Sequence, residues 1–237
     1  MSKVVGVDGC KGGWVGVVHD TATGQRGCAV FADFQSLLLF VGDADVIAVD
    51  IPIGFLDEAR HGGRTCDVEA RALLGAKRAS SVFPPPVRGA LAAQNYGEAL
   101  RVNRSSSAAG IGLSKQCHAL FPKMREVDDL MTPGRQDQVR EIHPELSFWA
   151  MNGGKAVVAG KRTREGAAAR FGLLWDCGIR IEVEIVSRWP KSVAAPDDLL
   201  DAHAACWTAQ RIVEGQAVRI PAAPEVDAKG LRMEMWY

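Results

Sequence analysis

Hydrophobic positions in the first third of the chain form short strand-like runs separated by turn residues. Lys3–Asp8 is an apolar run that ends in a carboxylate, residues 9–13 are a glycine-rich turn, and Trp14–Val18 is the next run. Gly27–Phe31 provides a third run of the same kind. Since turn residues separate all three, the pattern predicts an antiparallel meander of three strands.

The next segment predicts a helix and then a strand that is buried on both faces. Asp33 precedes apolar residues at helical spacing and is placed as the helix N-cap. Val46–Val49 is continuously apolar, as in a parallel strand within a sheet, and ends at Asp50. If this strand pairs in parallel with the run that ends at Asp8, both carboxylates emerge at one sheet edge, where ligands bind in open α/β sheets.

The middle of the chain has a different pattern, rich in glycine, proline and serine between helical stretches. Residues 56–136 are therefore predicted to be an inserted, mainly α-helical subdomain within a single domain spanning residues 1–237. Its helices are predicted near 66–77, 94–103 and 113–131. Beyond it we predict strands at 139–143, 180–186 and 231–237, a helix capped by Thr163, and a helix over 197–214. The whole pattern predicts an α/β fold.

Composition narrows the range of functions. The chain has 237 residues, 47% of them hydrophobic, and its 28 basic and 28 acidic residues cancel. Such a balance argues against a surface coated with phosphate contacts and leaves room for a local basic groove. No apolar run approaches the roughly 20 residues that cross a bilayer, and no signal-peptide pattern is seen. We expect a cytoplasmic protein with no membrane partner.

The last predicted helix begins with acidic residues. Asp198 and Asp201 are three positions apart, so they share a helix face. An acidic first turn is also typical of simple capping, and an aspartate at a strand end is often only a turn former. The joint occurrence of Asp8, Asp50 and this helix favours a shared site. Carboxylates without histidine or cysteine suit Mg²⁺ or Mn²⁺, which activate water for phosphodiester hydrolysis.

Short motifs across nearly the whole chain resemble those of one family. They are Asp8-Gly-Cys-Lys-Gly-Gly-Trp14, Asp50-Ile-Pro-Ile-Gly54, Arg64-Thr-Cys-Asp67, Ser80-Ser-Val-Phe-Pro-Pro-Pro-Val-Arg88, His143-Pro-Glu145 and Asp197-Asp-Leu-Leu-Asp201. The chain thus resembles the domain-of-unknown-function family 429, predicted nucleases of the ribonuclease H-like superfamily. That resemblance implies a mixed five-stranded sheet flanked by helices.

A weaker similarity to Holliday-junction resolvases implies roles for individual residues. It makes Asp8, Asp50 and Asp201 metal ligands and catalytic residues, with Asp198 as a fourth ligand or a residue that positions water. Glu145 is a further catalytic candidate, as a ligand or by orienting a water. The 56–136 insertion is a departure, because the compact resolvases lack it.

Basic residues near the acidic site are candidates for binding substrate. Lys11 lies in the first turn, and Arg64, Arg71 and Arg88 are chosen chiefly on the family resemblance. The alternative is that these cations are solvated or pair with neighbouring acids. The leading hypothesis is a Mg²⁺- or Mn²⁺-dependent nuclease with a nucleic-acid substrate. A non-catalytic module that binds nucleic acid or protein stays open, as does a homodimer.

Overall fold

The computed structural model describes residues 2–182, 185 and 187–237, which fold around a five-stranded mixed sheet. The strands lie in the order β3-β2-β1-β4-β5; β1, β4 and β5 run parallel, and β2 is antiparallel to β1 and β3. Their bounds are Lys3–Cys10 (β1), Gly13–Asp20 (β2), Arg26–Phe31 (β3), Val46–Val49 (β4) and Val139–Glu141 (β5). This sheet, flanked by helices, confirms the predicted fold class and is consistent with the ribonuclease H-like fold.

The helices begin largely where the sequence places their caps. Asp33 accepts a hydrogen bond from the Ser36 amide and begins α1, and Thr163 does the same with Gly166 for α7. Pro122 sits in the first turn of α5 and divides the predicted 113–131 stretch into two helices. The bounds are Phe34–Phe40 (α1), Thr65–Leu74 (α2), Tyr96–Ser105 (α3), Lys115–Ala119 (α4), Phe121–Leu130 (α5), Pro144–Met151 (α6), Arg164–Asp176 (α7) and Pro196–Val213 (α8).

Each face of the sheet has its own hydrophobic cluster, because side chains alternate across a strand. Val5, Val7 and Ile47 face α1 and the helices of the 56–136 segment, and Phe121 and Met124 of α5 belong to that cluster. The opposite face packs against α8, mainly through small and β-branched side chains: Val4, Val46, Ala48, Ala202, Ala205 and Ala209. The helical 56–136 segment therefore shares one hydrophobic cluster with the sheet.

The C-terminal region differs in part from prediction. Arg232–Trp236 forms the predicted last strand, β7, although its three central residues are buried rather than alternating. It pairs with Arg219–Val226, β6, for which the sequence analysis made no prediction. The strand predicted over 180–186 is wrong for the described residues, since 180–182 and 185 lie in no strand; residues 183, 184 and 186 lie outside the described part of the chain.

A glycine sets how closely α8 approaches the sheet. A Cβ atom on Gly6 of β1 would lie 2.0 Å from the backbone nitrogen of Cys206 and 2.2 Å from the carbonyl oxygen of Ala202. Strand and helix therefore meet backbone to backbone, which only glycine permits. No helix in the described ranges combines the length and apolarity needed to span a membrane.

Candidate active site

A cavity of about 470 Å³ lies at the carboxyl ends of β1 and β4. It is bounded by the start of α6, the residues just before α7 and the first turns of α8. Its charged lining mixes acids with fewer bases: Asp8, Asp50, Asp67, Glu141, Glu145, Asp197, Asp198 and Asp201 with Arg64, Arg78, Lys123, Lys161 and Arg162. The strand-end aspartates and the helix acids thus share one concave site, where ligands bind in open α/β sheets.

Asp8 and Asp50 are neighbours across the parallel strands β1 and β4. Val7 lies opposite Val49, and the Asp50 amide donates to the Val7 carbonyl at 3.0 Å. Both side chains line the same cavity. Burial, followed by the charges of Asp50 and Asp201, holds the pKa of Asp8 well above its usual value, and burial likewise raises the pKa of Asp50. Two buried carboxyl groups whose charges oppose each other favour a bound proton or a nearby cation.

Asp201 of α8 faces the same two strand ends and is only 2% exposed. Its Oδ2 accepts a hydrogen bond from Lys161 Nζ at 2.5 Å, whereas its buried Oδ1 has no hydrogen-bond partner among the described residues. Burial raises the pKa of Asp201 to about 6, although Lys161 opposes the shift. A buried carboxylate oxygen without a partner is costly, which marks Asp201 as a functional candidate.

Lys161 reaches the acids from the segment just before α7. Its side chain is 36% exposed and lies 4.0 Å from Asp197 as well as in contact with Asp201. Burial acts to lower the pKa of Lys161, but the carboxylates of Asp201 and Asp8 outweigh it and hold that pKa above its ordinary value. A permanent positive charge therefore stands among the acids.

Asp198 has the capping role that the alternative interpretation predicts. Its Oδ2 accepts a hydrogen bond from the Ala195 amide at 2.9 Å, so it stabilises the start of α8. Asp198 also lines the cavity, and burial raises its pKa. Capping and a place in the cavity are thus combined in one side chain.

Glu145 enters the cavity wall from the first turn of α6. Its Oε1 accepts a hydrogen bond from Arg170 at 2.6 Å and forms an ion pair with Arg78, also at 2.6 Å. Its buried Oε2, like Asp201 Oδ1, accepts no hydrogen bond from any residue that the structure describes. We refer to Asp201 Oδ1 and Glu145 Oε2 as the open oxygens.

The four cations predicted to bind substrate either pair with other protein groups or lie away from the cavity. Arg64 borders the cavity but is 1% exposed, and its guanidinium binds Asp67 and Glu141. Arg71 donates to the carbonyls of Gly62 and Val82, and Arg88 pairs with Asp128 and Asp227. Lys11 is exposed. Within the described ranges, Lys11, Arg71 and Arg88 are not part of the cavity lining. Substrate contact by these residues stays a prediction without structural support.

Four cations of the described cavity lining were not predicted from the sequence: Arg78, Lys123, Lys161 and Arg162. Lys123 Nζ lies 4.5 Å from the centre of the Trp14 ring and donates to the Gly13 carbonyl, and burial lowers its pKa. Nothing in the local sequence marks these residues, since each lies in a polar segment. The one available signal was the excess of clustered acids, because buried carboxylates need compensating cations.

The donor set suits a hard divalent ion, but the acids are not arranged as a finished metal site. In the part of the chain described here, no group of three or more histidine, cysteine, aspartate or glutamate side chains is placed to hold a metal ion. The open oxygens and the mutual repulsion of the buried Asp8 and Asp50 carboxylates are features that a cation would satisfy. As the side chains stand, Lys161 provides the positive charge at Asp201.

Fold and site together define an α/β protein with a ribonuclease H-like sheet and an acidic cavity at the strand ends. The chain belongs to the DUF429 family, described as proteins of unknown function, whose family model matches residues 6–226. No curated protein and no solved structure matches the chain. The family resemblance inferred from the motifs is thereby confirmed.

Proposed function

We propose that the cavity is the active site of a Mg²⁺- or Mn²⁺-dependent phosphodiesterase that cleaves nucleic acid. The observation that carries this proposal is the convergence of Asp8, Asp50 and Asp201 on one cavity, with the open oxygen of Asp201 buried inside it. These three residues would hold the ion, and Asp198 would support it from the first turn of α8. The ion supplies Lewis acidity at the phosphate and lowers the pKa of water.

The chain's own carboxyl groups supply the proton transfer. Hydrolysis forms a bond from the water oxygen to phosphorus and breaks the ester bond, so the water loses a proton and the leaving oxygen takes one up. Glu145, which is not assigned to the ion and has an open oxygen, would accept the proton of the water, and the leaving oxygen would receive it in turn. Glu145 is fixed by Arg78 and Arg170, and its open oxygen orients the water.

Substrate recognition falls to cations other than those chosen from the sequence. Arg78, Lys123 and Arg162 line the cavity. Arg162 is 87% exposed, and Arg78 presents a guanidinium that suits phosphate oxygens. These side chains provide local positive charge on a chain whose net charge is zero.

The Lys161–Asp201 ion pair favours a second candidate, a non-catalytic binding module. In that case Lys161 already compensates Asp201, and the cavity binds a ligand without metal chemistry. Such a module predicts binding that is insensitive to EDTA and that survives replacement of the aspartates.

Cleavage assays test the proposal. Labelled single-stranded, duplex, hybrid and branched nucleic acids are incubated with the protein in Mg²⁺ or Mn²⁺. We expect cleavage by the wild type and a loss of about 100-fold or more in Asp8→Asn and Asp201→Asn, as for other removed catalytic groups. The matched control is Asp57→Asn, since Asp57 is exposed and is not among the cavity's described lining residues.

Equal cleavage by Asp8→Asn and the wild type would contradict the proposal. EDTA-insensitive binding without cleavage, retained in both cavity variants, would instead support the binding module.

A further inference from the structure

Lys161 and a divalent cation would compete for the same carboxylate. The Lys161 ammonium lies 2.5 Å from Asp201 Oδ2, and its charge also acts on Asp8 and Asp50. We propose that Lys161 is an internal counter-cation that must leave Asp201 before a divalent ion binds. This inference rests on the metal-ligand part of the proposed function.

The backbone beneath Lys161 is fixed, so release involves the side chain alone. Arg170, itself 1% exposed, donates to the Ala159 carbonyl at 3.0 Å, and Thr163 Oγ1 donates to the Gly160 carbonyl at 2.8 Å. Gly166 packs so closely that a Cβ there would lie 2.1 Å from the Gly160 oxygen. The lysine side chain, by contrast, is 36% exposed and has a path to solvent.

Charge explains why Lys161 and a divalent ion exclude each other and why the divalent ion can displace the lysine. One ammonium balances one of the carboxylates of Asp8, Asp50 and Asp201, and it leaves the open oxygen of Asp201 unused. A dication balances two charges and can bind that oxygen. Two cations held within a few ångströms repel strongly at low dielectric, so they do not occupy the site together. Lys161 therefore raises the metal concentration needed to load the site.

Metal binding in the absence of substrate tests this inference. Mn²⁺ alone is titrated by calorimetry into the wild type, Lys161→Met and Lys155→Met. We expect Lys161→Met to bind Mn²⁺ about tenfold or more tightly than the wild type, because a like charge has been removed. Lys155→Met is the matched control: it makes the same replacement at an exposed position outside the described cavity lining and should change the affinity by less than about twofold.

Thermal unfolding gives a second readout. Without metal, Lys161→Met leaves Asp201 buried and uncompensated, so its Tm should fall below that of the wild type. Mn²⁺ should then raise the Tm of Lys161→Met by more than it raises that of the wild type. Lys161→Gln, which keeps a polar head group, provides the same comparison if the methionine variant does not fold.

Failures of this inference and of the proposed function are distinguishable. Unchanged or weaker Mn²⁺ binding by both Lys161 variants overturns the competition, while cleavage lost in Asp8→Asn would still uphold the nuclease. Absence of Mn²⁺ binding in every chain overturns the competition and the metal-ligand assignment together. Tighter binding in the Lys161 variants without any cleavage upholds the competition and rejects the nuclease.

Discussion

Two clusters of buried acids line the same cavity and differ in how their charges are satisfied. In the first, the Arg64 guanidinium binds Asp67 Oδ1 at 2.8 Å and Glu141 Oε1 at 2.6 Å, while the Arg64 and Ile53 amides bind the remaining carboxylate oxygens. In the second, which contains Asp8, Asp50 and Asp201, the Lys161 ammonium contacts Asp201 and acts through its charge on the other two acids. The open oxygen of Asp201 accepts no hydrogen bond from any described residue.

This difference separates a structural cluster from a candidate functional one. The number of acids is similar, so acidity alone does not identify a site. Every carboxylate oxygen of the Arg64 cluster accepts a hydrogen bond, which fits a group that holds β5 against the start of α2. The Asp8 cluster leaves charge and hydrogen-bonding capacity uncompensated, as is typical where a ligand completes the structure.

The largest change in stability is expected when the cation is removed from the cluster of Arg64, Asp67 and Glu141. Arg64→Met leaves Asp67 and Glu141 buried without their cation, so the free energy of unfolding should fall by about 3–5 kcal/mol. Urea denaturation measures this loss. Arg104→Met, at an exposed position of α3, is the control and should change stability by less than about 0.5 kcal/mol. A loss in Arg64→Met as small as that of the control would remove the distinction between the clusters.

Removing a carboxylate from the cluster of Asp8, Asp50 and Asp201 should change the free energy of unfolding in the opposite direction. Asp8→Asn removes one of several like charges, and we expect it to raise the free energy of unfolding by about 1–2 kcal/mol at neutral pH without divalent ions. The same denaturation experiment, in EDTA, measures the gain. A clear destabilisation by Asp8→Asn would show that its charge is already compensated in the protein.

The pH dependence sharpens the comparison further. Burial raises the pKa of Asp201 to about 6, so its ionised form weakens the fold above that pH, and the penalty disappears as pH falls towards the ordinary carboxyl value. Mn²⁺ needs the ionised form. Its stabilisation should therefore be clear at about pH 7.5 and should shrink by pH 5, where a group of pKa about 6 is roughly 90% protonated. Tm measured with and without Mn²⁺ checks this, and a pH-independent Mn²⁺ effect would exclude Asp201 as a ligand.

The smallest effect is expected at Lys11. This side chain is exposed and lies outside the cavity lining described above, so Lys11→Ala should alter stability by less than about 0.5 kcal/mol. It should change cleavage by less than about twofold if it does not touch the substrate. A large loss of cleavage at unchanged stability would support its predicted role in substrate binding.

Local pattern was sufficient for the strands and helices that place the acids. The continuous apolar run ending at Asp50 predicted a buried parallel strand, which β4 confirms, and its register shows that one parallel neighbour is β1, the strand that carries Asp8. The acidic start of α8 was predicted from helical spacing. Strand β6 had no such signal, since Pro221 and Pro224 interrupt it and β7 is its partner in a separate two-stranded sheet.

The sequence did not predict which distant residues would form ion pairs with the buried acids. Glu141 lies 77 positions from Arg64, and Asp201 lies 40 positions from Lys161. No periodicity links such residues, so Arg64 was chosen for substrate binding and Lys161 was overlooked. Which cation meets which acid depends on how the helices pack, and that is settled only in the folded chain.

Gly6 has a consequence for any redesign of this protein. It lies two positions before Asp8 on the face that meets α8, where Ala202 follows Asp201 directly. A methyl group on Gly6 would push α8 outwards. It would thereby move Asp201 away from the strand acids without contacting any of these side chains. The distance between α8 and the strand acids is thus set by main-chain contact, and a library that varies only cavity-facing side chains would leave it unchanged.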